Sequence, residues 1–382
     1  MDRDTIIQFF RYYGIELFKF EGIKLGLIVN PIAGMGGRVG LKGTDGKVER
    51  ALKLGAKPIA PKRAVEFLLN LRDVKDLIEL YTYPGEMGEL EALKAGFKPN
   101  VIGSIGEVTT ADDTKRAAKD LLKIVDLIVF VGGDGTARDV CDVLRDGFPV
   151  IGVPSGVKMY SAVFALNPKA CAEVVKAFIR GNVTFELREV MDADECSIEE
   201  DRISVRLFGY MKVPIIPNLV QGVKRADRGN KDGLAINFLR ILDEDTAYIM
   251  GPGGTIHHIA RAMRIEKTML GVDVIVNGRI IVKDASERDL ISILDRYEKV
   301  KIVVTPIGGQ GFIFGRGNLQ ISPEVLRRVK KENVMVVSTL DKLRELNSLK
   351  VDTGDSKVDK MFEGEIDVLT EIGFVKFRVE SV

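Results

Sequence analysis

Val125-Asp126-Leu127-Ile128-Val129-Phe130-Val131-Gly132-Gly133-Asp134-Gly135-Thr136 is the stretch that decides how this chain folds. The apolar, β-branched run ending at Val131 reads as a strand buried on both faces. It stops at Gly132-Gly133-Asp134-Gly135, and a helical pattern begins near Ala137. Three glycines around one carboxylate let the backbone take positive φ and come close to a ligand. Thr136 is placed to cap the helix, whose free N–H groups and dipole favour an anion. A plain strand-to-helix turn needs a single glycine. The pattern therefore predicts a phosphate cradle of Gly132, Gly133, Gly135 and Thr136, with Asp134 as the acid in its middle.

The same strand, glycine loop and helix logic recurs outward from this point. After the apolar run Leu25 to Val29 comes Asn30-Pro31-Ile32-Ala33-Gly34-Met35-Gly36-Gly37, opening a loop to Gly46 that holds six glycines with Arg38, Lys42 and Lys47. Backbone donors and cations together suit nucleotide phosphates, and Asn30, Gly34, Gly36 and Gly37 are candidate binding positions. The spacing matches neither a P-loop nor a GxGxxG fingerprint. Tyr83-Pro84-Gly85-Glu86 follows the next strand and offers Glu86 as an acid that could orient a metal or an acceptor hydroxyl. Ile151-Gly152-Val153-Pro154 leads into Ser155, Gly156 and Lys158, where Lys158 could meet phosphate. Tyr248-Ile249-Met250-Gly251-Pro252 leads into Gly253, Gly254 and Thr255, a second candidate phosphate site facing the first across a cleft. His257 and His258, the chain's two histidines, sit in the following turn. Thr305-Pro306-Ile307-Gly308-Gly309, after Val300 to Val304, completes the set with Thr305, Gly308 and Gly309.

Composition bounds the rest. A chain of 382 residues, 46% hydrophobic and 29% charged, has room for two globular domains. No apolar run approaches the roughly 20 residues that span a bilayer, and the charged N-terminus (Asp2, Arg3, Asp4, Arg11) is not a secretory signal. A formal charge of +1 gives no electrostatic case for nucleic acid or anionic membranes. Cys141, Cys171 and Cys196 are widely spaced, as expected of reduced thiols in the cytoplasm.

Residues 1–22 read as an amphipathic leader helix with Ile6, Ile7, Phe9, Phe10, Tyr13 and Leu17 apolar, expected to pack on the first domain. Residues 23–166 alternate strand runs with helical segments. This predicts an α/β domain with a doubly wound parallel sheet, whose ligands sit at the strand carboxyl ends. Residues 167–322 show shorter strand runs interrupted by Pro214, Pro217 and a polar stretch at 224–233, which predicts a smaller β-rich domain. Residues 323–382 read helix, strand, helix, strand.

Three of these stretches carry a family resemblance. Gly132-Gly133-Asp134-Gly135-Thr136 resembles the signature shared by NAD kinases, diacylglycerol kinases and 6-phosphofructokinases. Asn30 to Gly37 resembles the first strand-loop of the NAD kinase and lipid kinase group, and Thr305 to Gly309 the Thr-Pro-x-Gly segment of NAD kinases. The likeness runs through most of the chain in the same order. It is closest to the branch of ATP- or polyphosphate-dependent NAD kinase-like proteins that includes the acetoin-cluster X proteins. The resemblance implies a two-domain fold whose chain tail returns to the first domain, and a kinase that phosphorylates the adenosine 2′-hydroxyl of NAD to give NADP. ATP or polyphosphate would be the donor, Mg²⁺ the cofactor and Asp134 the catalytic acid–base or metal-holding group. A homo-oligomer, dimer or tetramer, is expected.

Departures from the family pattern keep two alternatives open. Pro154 stands where the family has Asn, Gly308-Gly309-Gln310 replaces Gly-Ser-Thr, and the Asn–acid pair that holds the ribose is missing. The alternatives are a kinase for another hydroxyl compound (a polyol, sugar or lipid headgroup) and a nucleotide-sensing protein without turnover.

Overall fold

Five of the apolar runs pair as a parallel sheet with helices on it. The computed structural model describes residues 22–36, 39, 48–106, 109–144, 147–155, 159–193, 205–216, 219–220, 229–307 and 310–382. The leader at 1–21, Gly37, Arg38, Lys42, Lys47, Gly156, Lys158, Cys196, Pro217, Gly308 and Gly309 lie outside the described residues.

The first domain runs β1 (Ile23–Val29), α1 (Val48–Lys53), α2 (Ala60–Leu69), β2 (Ile78–Thr82), α3 (Glu89–Lys94), β3 (Asn100–Val101), α4 (Ala111–Leu121), β4 (Leu127–Gly132), α5 (Asp134–Leu144), β5 (Val150–Pro154) and α6 (Pro168–Ile179). The sheet order is β3-β2-β1-β4-β5, every pair parallel. β4 and β5 are buried along their whole length, as strands covered on both faces must be. α4 starts on a capping box in which Thr110 and Asp113 satisfy each other's backbone N–H. The chain leaves β1 toward β2 on one side, while β4 lies on the other. The β1/β4 boundary is therefore the switch point of the sheet, where open α/β sheets take their ligands.

A two-stranded antiparallel ribbon follows, β6 (Thr184–Ala193) with β7 (Val205–Ile215). Val190, Met211 and Val213 pack it into the first core. Pro214, expected to break a strand, lies inside β7 opposite Phe185. Proline's missing N–H is tolerated there because the ribbon is two strands wide and Pro214 is next to the last residue of its strand.

The second region runs α7 (Lys231–Leu239), β8 (Ala247–Met250), α8 (Gly254–Ala262), β9 (Asp273–Val276), β10 (Arg279–Val282), α9 (Glu287–Arg296), β11 (Val300–Val304), β12 (Phe312–Phe314), α10 (Pro323–Val329), β13 (Val334–Val337), α11 (Leu340–Arg344), β14 (Leu349–Val351), α12 (Ser356–Met361), β15 (Gly364–Thr370) and β16 (Gly373–Ser381). Its mixed sheet has the order β10-β9-β8-β11-β13-β15-β16-β14-β12. The block β8, β11, β13, β15 is parallel. The tail adds a third helix and the strands β14 and β15 to the elements expected there, and its strands extend this second sheet. It reaches the first domain through Asp352, which takes two hydrogen bonds of 2.9 Å from the Arg63 guanidinium of α2, and through Gly354, whose carbonyl accepts from Lys62. Val382 packs against the first core, and Phe312 of β12 belongs to it. Among the described residues no helix is long and apolar enough to cross a membrane.

Candidate functional site

The switch point of the first sheet is assembled by short, specific contacts. Asn30, directly after β1, donates its backbone N–H to the Val131 carbonyl of β4 at 3.0 Å. Its side-chain oxygen accepts from Ile32 N–H (3.2 Å), and its amide donates to the Thr136 hydroxyl (2.9 Å). Asn30 thus holds its own turn and ties the β1 loop to α5. Thr136 is the third residue of that helix, not its cap, and it is the anchor that receives Asn30. Helix α5 starts three residues earlier than the glycine pattern implied, at Asp134.

Gly132 is required by a close approach, because a Cβ there would collide with the Thr136 side chain. Its φ is not left-handed, and Gly135 is helical. Steric access to Thr136, not positive φ, accounts for Gly132. Positive φ occurs instead at Gly34 (+80°), where a Cβ would also collide with the Ser155 carbonyl oxygen. Gly36 closes the same buried turn. Ser155, after β5, donates its N–H to the Gly132 carbonyl at 2.9 Å. The loops after β1, β4 and β5 therefore pack directly on one another.

Asp134 is half-buried at the head of α5. One carboxylate oxygen accepts from Tyr160 N–H at 2.6 Å and the other from Ser161 N–H at 3.0 Å. Charge-assisted bonds of this kind are about twice as strong as neutral ones. Ser161 carries the link onward, its hydroxyl accepting from Met191 N–H of β6 at 3.0 Å. The Tyr160 phenol is pushed up to about 12, by burial first and by the Asp134 charge second. Tyr160 and Ser161 escaped the sequence reasoning because they bind Asp134 through backbone N–H groups, which leave no residue signature. The buried Ser155 hydroxyl has no hydrogen-bond partner among the described residues.

Glu86 follows β2, which is separated from β4 by β1. Its side chain is exposed. Neighbouring Glu89 takes the local structural role by accepting from Gly85 N–H at 2.8 Å.

In the second sheet the carboxyl ends of β8 and β11 bring Gly253, Gly254 and Thr255 beside Thr305. Gly251 N–H donates to the Val303 carbonyl at 2.8 Å, and Thr305 stands against Gly253. His257 Nδ1 meets the Lys267 carbonyl at 3.1 Å and His258 Nε2 meets the Asp232 carboxylate at 2.7 Å. Both histidines are thereby tied to the protein itself.

Two family models match the chain in the order its domains occur. The ATP-NAD kinase N-terminal domain matches residues 25–183 and the ATP-NAD kinase C-terminal domain residues 243–376. The chain belongs to the NAD kinase-like superfamily. No curated protein matches it significantly in sequence. Similar solved structures include yeast NADH kinase complexed with NADH, with 14% identity, a TM-score of 0.28, and 46% of this chain and 40% of that one covered. A diacylglycerol kinase from Bacillus anthracis str. Sterne matches at 20% identity with a TM-score of 0.21, covering 47% of this chain and 48% of that one. The chain thus spans less than half of either relative.

Asp134 can do two things at this place in a NAD kinase-like fold. A carboxylate is a group that can receive a proton or hold a hard cation. Among the described residues no group of three His, Cys, Asp or Glu could hold a metal ion by itself. One carboxylate is what a Mg²⁺ that keeps its waters and binds through substrate phosphates asks of a protein.

Proposed function

We propose that this protein is a kinase that transfers a phosphoryl group to the adenosine 2′-hydroxyl of NAD, giving NADP, with ATP or polyphosphate as donor. One observation carries the proposal. At the switch point of a NAD kinase-like sheet, a carboxylate is held by two backbone N–H groups at the head of α5. The loops after β1, β4 and β5 surround it.

Phosphoryl transfer passes through a loose transition state, so catalysis rests on positioning and charge neutralisation. The acceptor oxygen bonds to the terminal phosphorus, the bond from that phosphorus to the bridging oxygen breaks, and the acceptor proton passes to Asp134. Asn30, Gly34, Gly36, Gly132, Gly133, Gly135, Thr136 and Ser155 are the phosphate-binding candidates of the first sheet's loops, and Gly37, Gly156, Lys158, Gly308 and Gly309 are candidates from the sequence motifs alone. Mg²⁺, when bound, neutralises donor phosphates, and Asp134 is the residue that would hold it. Glu86 orients the acceptor.

A second reading is a kinase for another hydroxyl compound. Pro154 at the end of β5 favours it, since it offers no side-chain hydrogen bond where ribose recognition needs one. The test is NADP formation from NAD with ATP or polyphosphate and Mg²⁺, alongside a panel of polyols, sugars and lipid headgroups with labelled ATP. NADP should form, and Glu86→Ala should impair it. Labelling of another acceptor with no NADP from any donor would establish the second reading instead.

A further inference from the structure

We propose that the cavity between α6 of the first domain and β14 of the second sheet is a binding site for a small organic monocarboxylate, whose charge is met by the Lys350 ammonium. The cavity is lined by none of the Asp134 loop residues, and the proposal does not rest on the kinase reading above.

Strand register sets the place. β12, β14 and β16 lie side by side, and Phe312, Lys350 and Glu380 are register partners across them. Partners directly across a sheet share a face, and Phe312 belongs to the first domain's core. The face that carries Lys350 is therefore turned toward the first domain. Opposite it stand Leu166, Asn167 and Ala170 at the start of α6, with Leu219 and Val220 beside them. The space between these walls is about 620 Å³. Small-molecule sites span roughly 300–1,000 Å³ and favour such domain boundaries.

Charge sets the ligand. The charged side chains lining the space are Lys169, Glu173, Glu345, Lys350 and Glu380. Lys169 and Glu345 are exposed and solvated. Glu173 pairs with Lys176 at 3.1 Å. Glu380 accepts from the Ser348 hydroxyl at 2.8 Å and pairs with Arg378 Nε at 3.2 Å. Lys350 differs from all of these. It is half-buried, and among the described residues its ammonium has no hydrogen bond or ion pair. Burial lowers its pKa; the Glu380 charge works against that shift and the Arg316 charge adds to it. Arg316 is held close by, its guanidinium 4.4 Å from the Phe312 ring centre and bonded to Gln310 Oε1 at 2.7 Å. A desolvated cation beside a second cation lacks an anion.

The flanking groups narrow that anion. Glu173, Glu345 and Glu380 line the same space, so a second negative charge on the ligand is repelled. A monocarboxylate fits where a phosphate dianion does not. Leu166, Ala170, Leu219, Val220 and Leu346 offer apolar surface to the rest of the molecule. Bound there, the ligand touches α6 and β14 at once and stabilises the docking of the two domains.

Hexanoate, its neutral isostere hexanamide, and hexyl phosphate are the probes, used with the full-length protein. A fragment of this size should bind with a Kd of about a millimolar, measured by titration calorimetry. Hexanoate should bind more tightly than the other two and raise the melting temperature by mass action. In the unaltered protein it should also slow reductive methylation of Lys350, read by peptide mass spectrometry, while hexanamide should not. Lys350→Met keeps an apolar stem and removes the charge. It should weaken hexanoate about tenfold or more, the scale of a lost hydrogen bond between charged groups, with a melting temperature no lower than wild type. Absence of hexanoate binding, or equal protection of Lys350 by hexanamide, overturns the proposal. Tighter binding of hexyl phosphate overturns the monocarboxylate assignment. None of these readouts involves phosphoryl transfer, so failure to form NADP sinks the kinase reading alone, and failure of hexanoate sinks this one alone.

Discussion

Replacing Asp134 by Asn changes one atom and should disturb both a loop and a reaction. The carboxylate accepts from Tyr160 N–H at 2.6 Å and Ser161 N–H at 3.0 Å. Asparagine can accept from one of them with a neutral oxygen, and its own NH₂ then faces the other donor. Hydrogen bonds to a charged group contribute about 1.5–3 kcal/mol, against about 1 kcal/mol for a neutral one. The buried donor left over costs a further 1–3 kcal/mol or so, and partial solvent access at half-buried Asp134 reduces the total, to roughly 2–4 kcal/mol. For a domain of this size that is a fall of about 4–16 °C in Tm, at roughly 2–4 °C per kcal/mol. The assay is a calorimetric melt together with hydrogen exchange at the Tyr160 and Ser161 amides, which should lose protection before the β4 core does. Turnover, measured well below the new Tm, should fall by about a hundredfold or more if Asp134 also takes the acceptor proton. Wild-type Tm and unchanged protection of both amides would refute the argument that Asp134 holds this loop. Wild-type turnover would refute its role in the chemistry.

Two further outcomes are expected. Arg63 and Asp352 form a buried bidentate pair between the two domains, so Arg63→Met or Asp352→Leu alone should cost about 3–5 kcal/mol and the double change much less; urea titration of the four proteins checks it, and additive single costs would contradict it. Glu91 of α3 is 1% exposed, both its carboxylate oxygens lack a hydrogen bond among the described residues, and burial raises its pKa. Between the unfolded value of about 4.3 and the raised folded one the native state binds more protons, so stability falls as pH rises through that window. Glu91→Gln should therefore be more stable than wild type at neutral pH and lack that fall, whereas an unchanged pH–stability curve would count against it.

Much of the fold was legible because its strands are short apolar runs that end at glycine. Ala247–Met250, Val300–Val304 and Val334–Val337 are strands with the bounds their composition suggests. β12 and β14 are three residues each, too short to show a period, and exist because neighbouring strands offer them a ladder. β7 reads as broken at Pro214 until the partner strand is known. In the candidate site, Asp134 and its glycines were visible as residue types in a pattern. The reason for Gly132 was not, because it lies in the position of the Thr136 side chain one helical turn later.

By itself the sequence determined the repeated local unit: a buried strand, a glycine loop and a helix. Propensity and periodicity act over a few residues, which is the length of that unit. Only the tertiary structure decided which units meet. Asn30 finds Thr136 across 106 residues, and Asp134 finds Tyr160 across 26. Arg63 finds Asp352 across 289, and Thr305 comes to rest beside Gly253 with its hydroxyl unpaired. Such pairings depend on strand order in the two sheets, which is set by the burial of whole faces and leaves no mark on the residues that end up in contact.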